Sequence, residues 1–247
     1  MSHLAVFRQI PAILEAQKIL IFASISSLFA VFGRLVRGVT TGGAIAGAVV
    51  CFVLLCSAGL RGFAALFTVF AFTWVATHIG YARKQRLGTA EARAGRNTLQ
   101  VLANLGTAAG CAAVYTQFPN PRIFVAMAAA LAEAAADTVS SEIGQAMGRV
   151  PRLITSWREV ARGTNGAITG IGTAAGAIAA VAVAFVFFAF GDFGRVSLLV
   201  VAFSGTAGMF ADSFLGATIE GRRGIGNNAI NFFSTVFAAI VAFLIVP

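Results

Sequence analysis

Eight apolar runs, most of them close to 20 residues long, follow one another along this chain. They lie near 18–34, 40–58, 61–80, 98–116, 122–145, 167–190, 195–219 and 228–246. Wound as a helix, a run of about 20 residues spans the roughly 30 Å hydrocarbon core of a bilayer. Lipid offers no hydrogen-bond partners, so a spanning backbone must satisfy itself, in a helix or a closed barrel. A barrel would alternate apolar and polar residues over roughly ten-residue strands, and these runs are continuous. Composition agrees: only 11% of residues are charged and the mean hydropathy is +0.87, against about 25% charged in soluble chains. The expected fold is all-α, a polytopic transmembrane helical bundle of about eight spanning segments, forming a single domain over residues 1–247. Residues 1–17 read as a lead-in lying at the interface, because no small-x-small cleavage site marks a signal peptide. Cys51, Cys56 and Cys111 all fall in apolar runs, with no CxxC spacing. They read as small buried hydrophobes rather than metal ligands or a disulfide framework.

The charges sort by side. The linkers after the first, third, fifth and seventh runs hold Arg34 and Arg37, then Arg83, Lys84, Arg86, Arg93 and Arg96. They continue with Arg149, Arg152, Arg158 and Arg162, and end with Arg222 and Arg223. Together these are 13 of the 18 Lys and Arg residues. The excess of positive charge places those linkers in the cytosol and the chain in a cell inner membrane. Topology signalling and attraction to anionic lipid account for such a face. A basic face also attracts nucleotide phosphates and phosphorylated lipid heads.

Against this background the acids stand out. "AEAAADTVSSEIG" (132–144) carries Glu133, Asp137 and Glu142, and "ADSFLGATIEG" (211–221) carries Asp212 and Glu220. Glu133 and Asp137 are one helical turn apart and share a face. An unpaired carboxylate at the bilayer centre costs about 2.5–3.5 kcal/mol on the insertion scale. These groups must therefore face the bundle interior or a wet cavity. Each acidic helix is followed by an Arg-containing loop and an Asn-rich helix start, "RGTNGAITG" (162–170) and "GIGNNAIN" (224–231), with Asn165 and Asn227 in matching places. "RGVTTGGAIAG" (37–47) is a fainter third copy of this repeat-like motif. A helix N-terminus presents free N–H groups and a positive dipole end to an anion. Magnesium favours one or two carboxylates with phosphate oxygens and water, so two acidic helices beside two such ends suit a Mg²⁺–phosphate site. The competing expectation is that Asp137 and Asp212 pair with Arg or Asn between helices. Gln100 and Asn104 either join helices or line the site. There is no P-loop, and Gly170, Gly172 and Gly176 do not have the spacing of a dinucleotide fingerprint.

Taken in order, "GRNTLQVLAN", "EAAADTVSSEIG", "RGTNGAITGIGTAAG" and "ADSFLGATIEG…NNAINFFST" resemble the integral membrane family that includes transmembrane protein 19 and the plastid phytyl-phosphate kinase. The resemblance covers roughly residues 37–240. It implies a kinase that moves the terminal phosphate of a nucleoside triphosphate, often CTP, onto a phytyl, farnesyl or geranylgeranyl monophosphate. A more distant similarity to dolichol kinase and the CDP-lipid synthases points the same way; the full CDP-lipid synthase signature is missing here, which favours the kinase. On this reading Asp137 and Asp212 hold Mg²⁺, with Glu142 and Glu220 assisting. Arg162 and Asn165 complete the catalytic set with the two aspartates. Arg83, Lys84, Arg96, Gln100, Asn104, Arg222, Arg223, Asn227 and Asn228 bind the phosphates and the nucleotide. The expected partners are the lipid monophosphate, the nucleotide and the bilayer, with no nucleic acid; a homodimer is compatible with the sequence. The rival from another class is a secondary transporter or flippase for a small anionic or lipid-phosphate substrate, which also uses Gly-interrupted segments and intramembrane acids. Transporter acids belong near mid-bilayer with access from both sides. A scaffold or scramblase without chemistry would have little use for so much Asp, Asn and Arg on one face.

Overall fold

The structure, a computed structural model, describes residues 3–189, 194–221 and 224–246, and side chains from residue 14 onward. Its elements in chain order are α1 (His3–Leu35), α2 (Thr41–His78), α3 (Tyr81–Arg86), α4 (Thr98–Gln117) and α5 (Pro121–Met147). There follow β1 (Arg152–Leu153), β2 (Ala167–Ile168), α6 (Gly170–Phe188), α7 (Arg195–Thr218) and α8 (Asn227–Ile245). Helix α1 runs unbroken through the boundary expected near residue 17. The stretch "AILEAQK" (12–18) is made of helix formers and contains no stop signal.

A straight 38-residue helix would reach about 57 Å, far beyond a bilayer, yet α2 is nominally that long. Gly59 resolves the conflict. Its backbone (φ 60°, ψ −147°) lies in a region essentially reserved for glycine, and the chain reverses there. The proof is a contact: Trp74 Nε1 donates to the carbonyl of Val36 at 3.1 Å, which brings the end of α2 back to its beginning. One element thus supplies both runs expected at 40–58 and 61–80. Six helices, α1 from Leu14, α2, α5, α6, α7 and α8, are long and apolar enough to cross a membrane. Helix α4 has the length, 20 residues, but Gln100, Asn104 and Thr107 dilute its hydropathy.

The segments alternate in direction. At one end Arg83 donates to the carbonyl of Ala146 (2.8 Å) and Arg162 to that of Arg149 (2.7 Å), while Val39 bridges Arg96. At the other, the Arg61 guanidinium lies over the Phe124 ring at 5.8 Å, and Phe124 packs on Tyr115 and Phe187. The basic linkers that the structure describes therefore share one end of the bundle.

Helix α5 is the central post, packed by α2, α4, α6, α7 and α8. From Phe124 to Ala136 every residue is buried. Alanine on all faces lets neighbouring backbones come close, the usual way helices associate in lipid. Gly205 of α7 meets α5 so closely that a Cβ there would sit 2.8 Å from the Ala132 Cβ and 3.0 Å from the Glu133 nitrogen. Gly205→Val is expected to destabilise the bundle by about 1–3 kcal/mol through overpacking. Thermal unfolding in detergent reads this as a lowered Tm; an unchanged Tm would show that α5 and α7 have slack.

The sixth run, expected from residue 167, begins its helix three residues later. Leu153 and Arg152 pair with Ala167 and Ile168 as a short antiparallel ribbon. Thr169 then caps α6, its hydroxyl accepting from the Gly172 nitrogen at 3.1 Å. Asn165 accordingly sits in a loop, whereas Asn227 opens α8. The two Asn-rich stretches are alike in sequence and not equivalent in structure.

Candidate active site

A polar cavity of about 400 Å³ opens at the basic end of the bundle. Its floor comes from the second half of α5 (Asp137, Ser140, Ser141) and the end of α7 (Asp212, Ser213, Glu220). Gln100 and Asn104 of α4 and Asn227 and Asn231 of α8 form the sides. The loops around Glu91 and Arg96 and around Arg162 and Asn165 form the rim. Gly166 lets the second loop lie directly on α7. Its φ is 73°, and any Cβ there would collide with Ser213 and Ala217.

Asp137 and Asp212, from different helices, come within hydrogen-bonding reach of each other. Neither makes an ion pair among the described residues, against the Arg half of the competing expectation, whereas its Asn half holds for Asp212, which Asn231 of α8 meets at 3.3 Å. Among the described residues the Arg96 charge acts on Asp137, and Arg96 itself lies 3.6 Å from Glu91. Helix α8 holds Asp212: the Ser234 hydroxyl is 3.3 Å from Oδ2. With its amide turned to suit its neighbours, Asn231 donates to Asp212 (3.3 Å) and to the Asn227 carbonyl (3.0 Å) and accepts from Asn104 (3.1 Å). One turn below Asp137, Glu133 is 1% exposed and its Oε1 has no partner. Burial pushes the Glu220 carboxyl, just past the end of α7, above its usual range.

The cations divide. Arg162 lines the cavity and is held by the carbonyls of Gln145 (3.3 Å) and Arg149 (2.7 Å). Arg83 is turned away to the Ala146 carbonyl. Lys84, expected to bind substrate, is fully buried. It donates to the carbonyls of Ala76 (3.0 Å) and Thr77 (2.8 Å) and pairs with Glu142. Glu142 lines the polar cavity, its carboxylate held by that pairing and by a hydrogen bond from Thr77 at 3.3 Å. Gln100 both caps α4, in a capping box with Asn97, and donates to Glu91; Asn104 ties α4 to α8. These two residues thus join helices and line the cavity at once. Asn228 is not on the cavity wall. Arg222 and Arg223 lie outside the described residues. Glu91, Ser213, Asn231 and Ser234 are site residues that the sequence reading missed. For the last two a signal existed: Asn227, Asn231 and Ser234 stand at i, i+4 and i+7, one stripe of α8.

Among the described residues no set of three or more His, Cys, Asp and Glu side chains is arranged to hold a metal. What is present is a facing carboxylate pair with no ion pair among the described residues and an orphaned buried carboxylate oxygen beside it. The donors are all oxygen, which suits a hard divalent ion that completes its shell with phosphate oxygens and water.

Fold and site together define an integral membrane protein with a polar, acid-floored chamber open at the basic end. The chain belongs to the integral membrane protein family DUF92, which it matches over residues 24–239. An uncharacterized membrane protein of Methanocaldococcus jannaschii is 34% identical over 205 residues, covering 82% of this chain and 84% of that one. Protein PGR of Arabidopsis thaliana is 32% identical over 228 residues (81% and 79% of the two chains). The chloroplastic protein VTE6 of the same plant is 28% identical over 196 residues (75% and 59%). No solved structure matches. These relatives bear out the resemblance to the family of transmembrane protein 19 and the phytyl-phosphate kinase.

Proposed function

We propose that this protein is a membrane-embedded kinase acting on isoprenoid monophosphates such as phytyl, farnesyl or geranylgeranyl phosphate, with CTP as donor and Mg²⁺ as cofactor. The observation that carries the reading is the convergence of Asp137 and Asp212 on one polar chamber, with no ion pair to either among the described residues. Phosphoryl transfer asks mainly for positioning and charge neutralisation, and that is what the chamber offers. Asp137 and Asp212 would hold Mg²⁺, which when bound offsets the negative charge of the triphosphate. Arg162 and Arg96 at the rim would take phosphate oxygens, and Asn165 and Asn227 would orient them. An oxygen of the lipid monophosphate attacks the γ-phosphorus, the bond from that phosphorus to the β–γ bridging oxygen breaks, and CDP leaves. The attacking oxygen is already anionic, so no general base is required.

The transporter reading has less support. Below the chamber α5 is packed on every face, with Met127 and Leu131 fully buried, and the far end is filled by Phe124 and Phe187. Access is therefore from the basic end, which the positive-inside rule assigns to the cytosol. Purified protein given labelled CTP, Mg²⁺ and farnesyl or phytyl phosphate is expected to form labelled lipid diphosphate. A folded sample that forms none with any of these acceptors would overturn the proposal.

A further inference from the structure

A second cavity of about 410 Å³ adjoins the first. Its walls are apolar and aromatic, including Phe29 and Gly33 of α1, Leu66, Phe70 and Trp74 of α2, and Leu105 of α4. Glu91, Arg96, Gln100 and Asn104 line both cavities, so polar chamber and apolar cavity share one wall. Arg37, Arg93 and Arg96 stand at the shared end. Helix α1 packs substantially only on α2, so no tight helix contact closes the side between α1 and α4 against lipid. The volume falls within the range of about 300–1,000 Å³ that encloses a drug-sized ligand.

Resting on the kinase reading, we propose that this cavity between α1, α2 and α4 is the binding site for the hydrocarbon chain of the lipid monophosphate. The anionic head lies at Arg96, which passes it to the neighbouring chamber, and the chain enters sideways from the bilayer. Only an amphiphile fits both halves: the cations and amides at one end need an anion, and the Phe and Trp walls need an apolar chain. Gly47 offers a way to fill the site. It lines the cavity, and a Cβ there meets nothing within 4 Å, so Gly47→Phe starts into ligand space without a clash at its Cβ. Gly110 is equally open but lies on an exposed part of α4, away from the cavity.

The test uses the full chain in nanodiscs. A prenyl monophosphate with a diazirine at its tail is expected to label residues 29–47 and 66–74 on irradiation. Excess geranylgeranyl monophosphate should suppress the label; inorganic phosphate should not. Gly47→Phe is expected to weaken geranylgeranyl monophosphate binding about ten-fold and dimethylallyl monophosphate binding less than about two-fold. Gly110→Phe should bind both as the unaltered protein does. Label confined to α6–α8, or unweakened geranylgeranyl monophosphate binding by Gly47→Phe, would overturn the site. Phosphate transfer from CTP on the same preparation separates the two ideas. Transfer without label in α1 and α2 overturns the chain site alone, and label there without transfer overturns the kinase reading alone.

Discussion

Asp137→Asn is expected to abolish phosphate transfer while making the ligand-free protein harder to unfold. The two effects share one cause. Asp137 and Asp212 face each other inside the bundle with no ion pair among the described residues, and Glu133 lies buried one turn away. When ionised together, carboxylates so placed repel one another, and burial removes the water that would screen them. On the proposed metal site a divalent cation would relieve the arrangement during function, the usual conflict between a strained site and a stable fold. A bound metal contributes several kcal/mol of charge stabilisation to a phosphoryl transition state. Its loss should cost at least about a thousand-fold in turnover, at 1.36 kcal/mol per decade. An asparagine keeps the shape and removes the repulsion. The variant without ligand is therefore expected to melt on the order of 3–6 °C higher than the unaltered protein, as about 1.5 kcal/mol would give in a chain of this size. Mg²⁺ with CTP should raise the Tm of the unaltered protein by mass action and leave that of the variant where it was. Full turnover by Asp137→Asn, or a lower Tm without ligand, would remove the basis for the metal site. Asp212→Asn should behave the same way, because α8 fixes it through Ser234 and Asn231 on the same chamber.

The residues of that chamber were legible to different degrees, for physical reasons. Asp137 and Asp212 could be read because a carboxylate in an apolar run has few places to go, and the cost of facing lipid excludes most of them. The chain reversal within α2 was legible as two runs separated at "AGLRG" (58–62), although not as a single glycine. The end on which the cations gather followed from their distribution among linkers. What the sequence did not reveal depends on how loops fold back. Glu91 sits in "TAEARAGR" (89–96), which reads as a solvated linker, yet it receives Gln100 and Arg96 at the cavity rim. The matching Asn165 and Asn227 suggested two equivalent helix starts. The β1–β2 ribbon draws Ala167 and Ile168 out of α6 by pairing them with Leu153 and Arg152, a non-local contact that no local pattern announces.

Lys84 shows the largest gap between reading and structure, and it carries the second large prediction. In sequence it is one of a basic run, "ARKQR" (82–86), and looks as available to a phosphate as Arg83. In the fold, the turn at Gly80 (φ 64°) sends α3 back beneath the end of α2, and the Lys84 side chain is wholly enclosed. There it meets the last carbonyls of α2, at Ala76 and Thr77, together with the Glu142 carboxylate of α5. A cation at a helix C-terminus complements the dipole, and these carbonyls have no intrahelical donor of their own. Removing one partner of a buried pair leaves the other charge uncompensated, at about 3–5 kcal/mol. Lys84→Met is therefore expected to lower stability by about that much, with Glu142→Gln losing less because Thr77 can still hydrogen-bond the amide. The double variant should recover part of the loss, since replacing both partners of a buried pair is often close to neutral. Unfolding measurements on the four proteins give the coupling directly. If instead Lys84 contacts a phosphate, Lys84→Met would raise KM for CTP or the lipid monophosphate with the Tm unmoved. The structure predicts the reverse, a fallen Tm and, in the fraction that stays folded, a KM within about two-fold of the unaltered value.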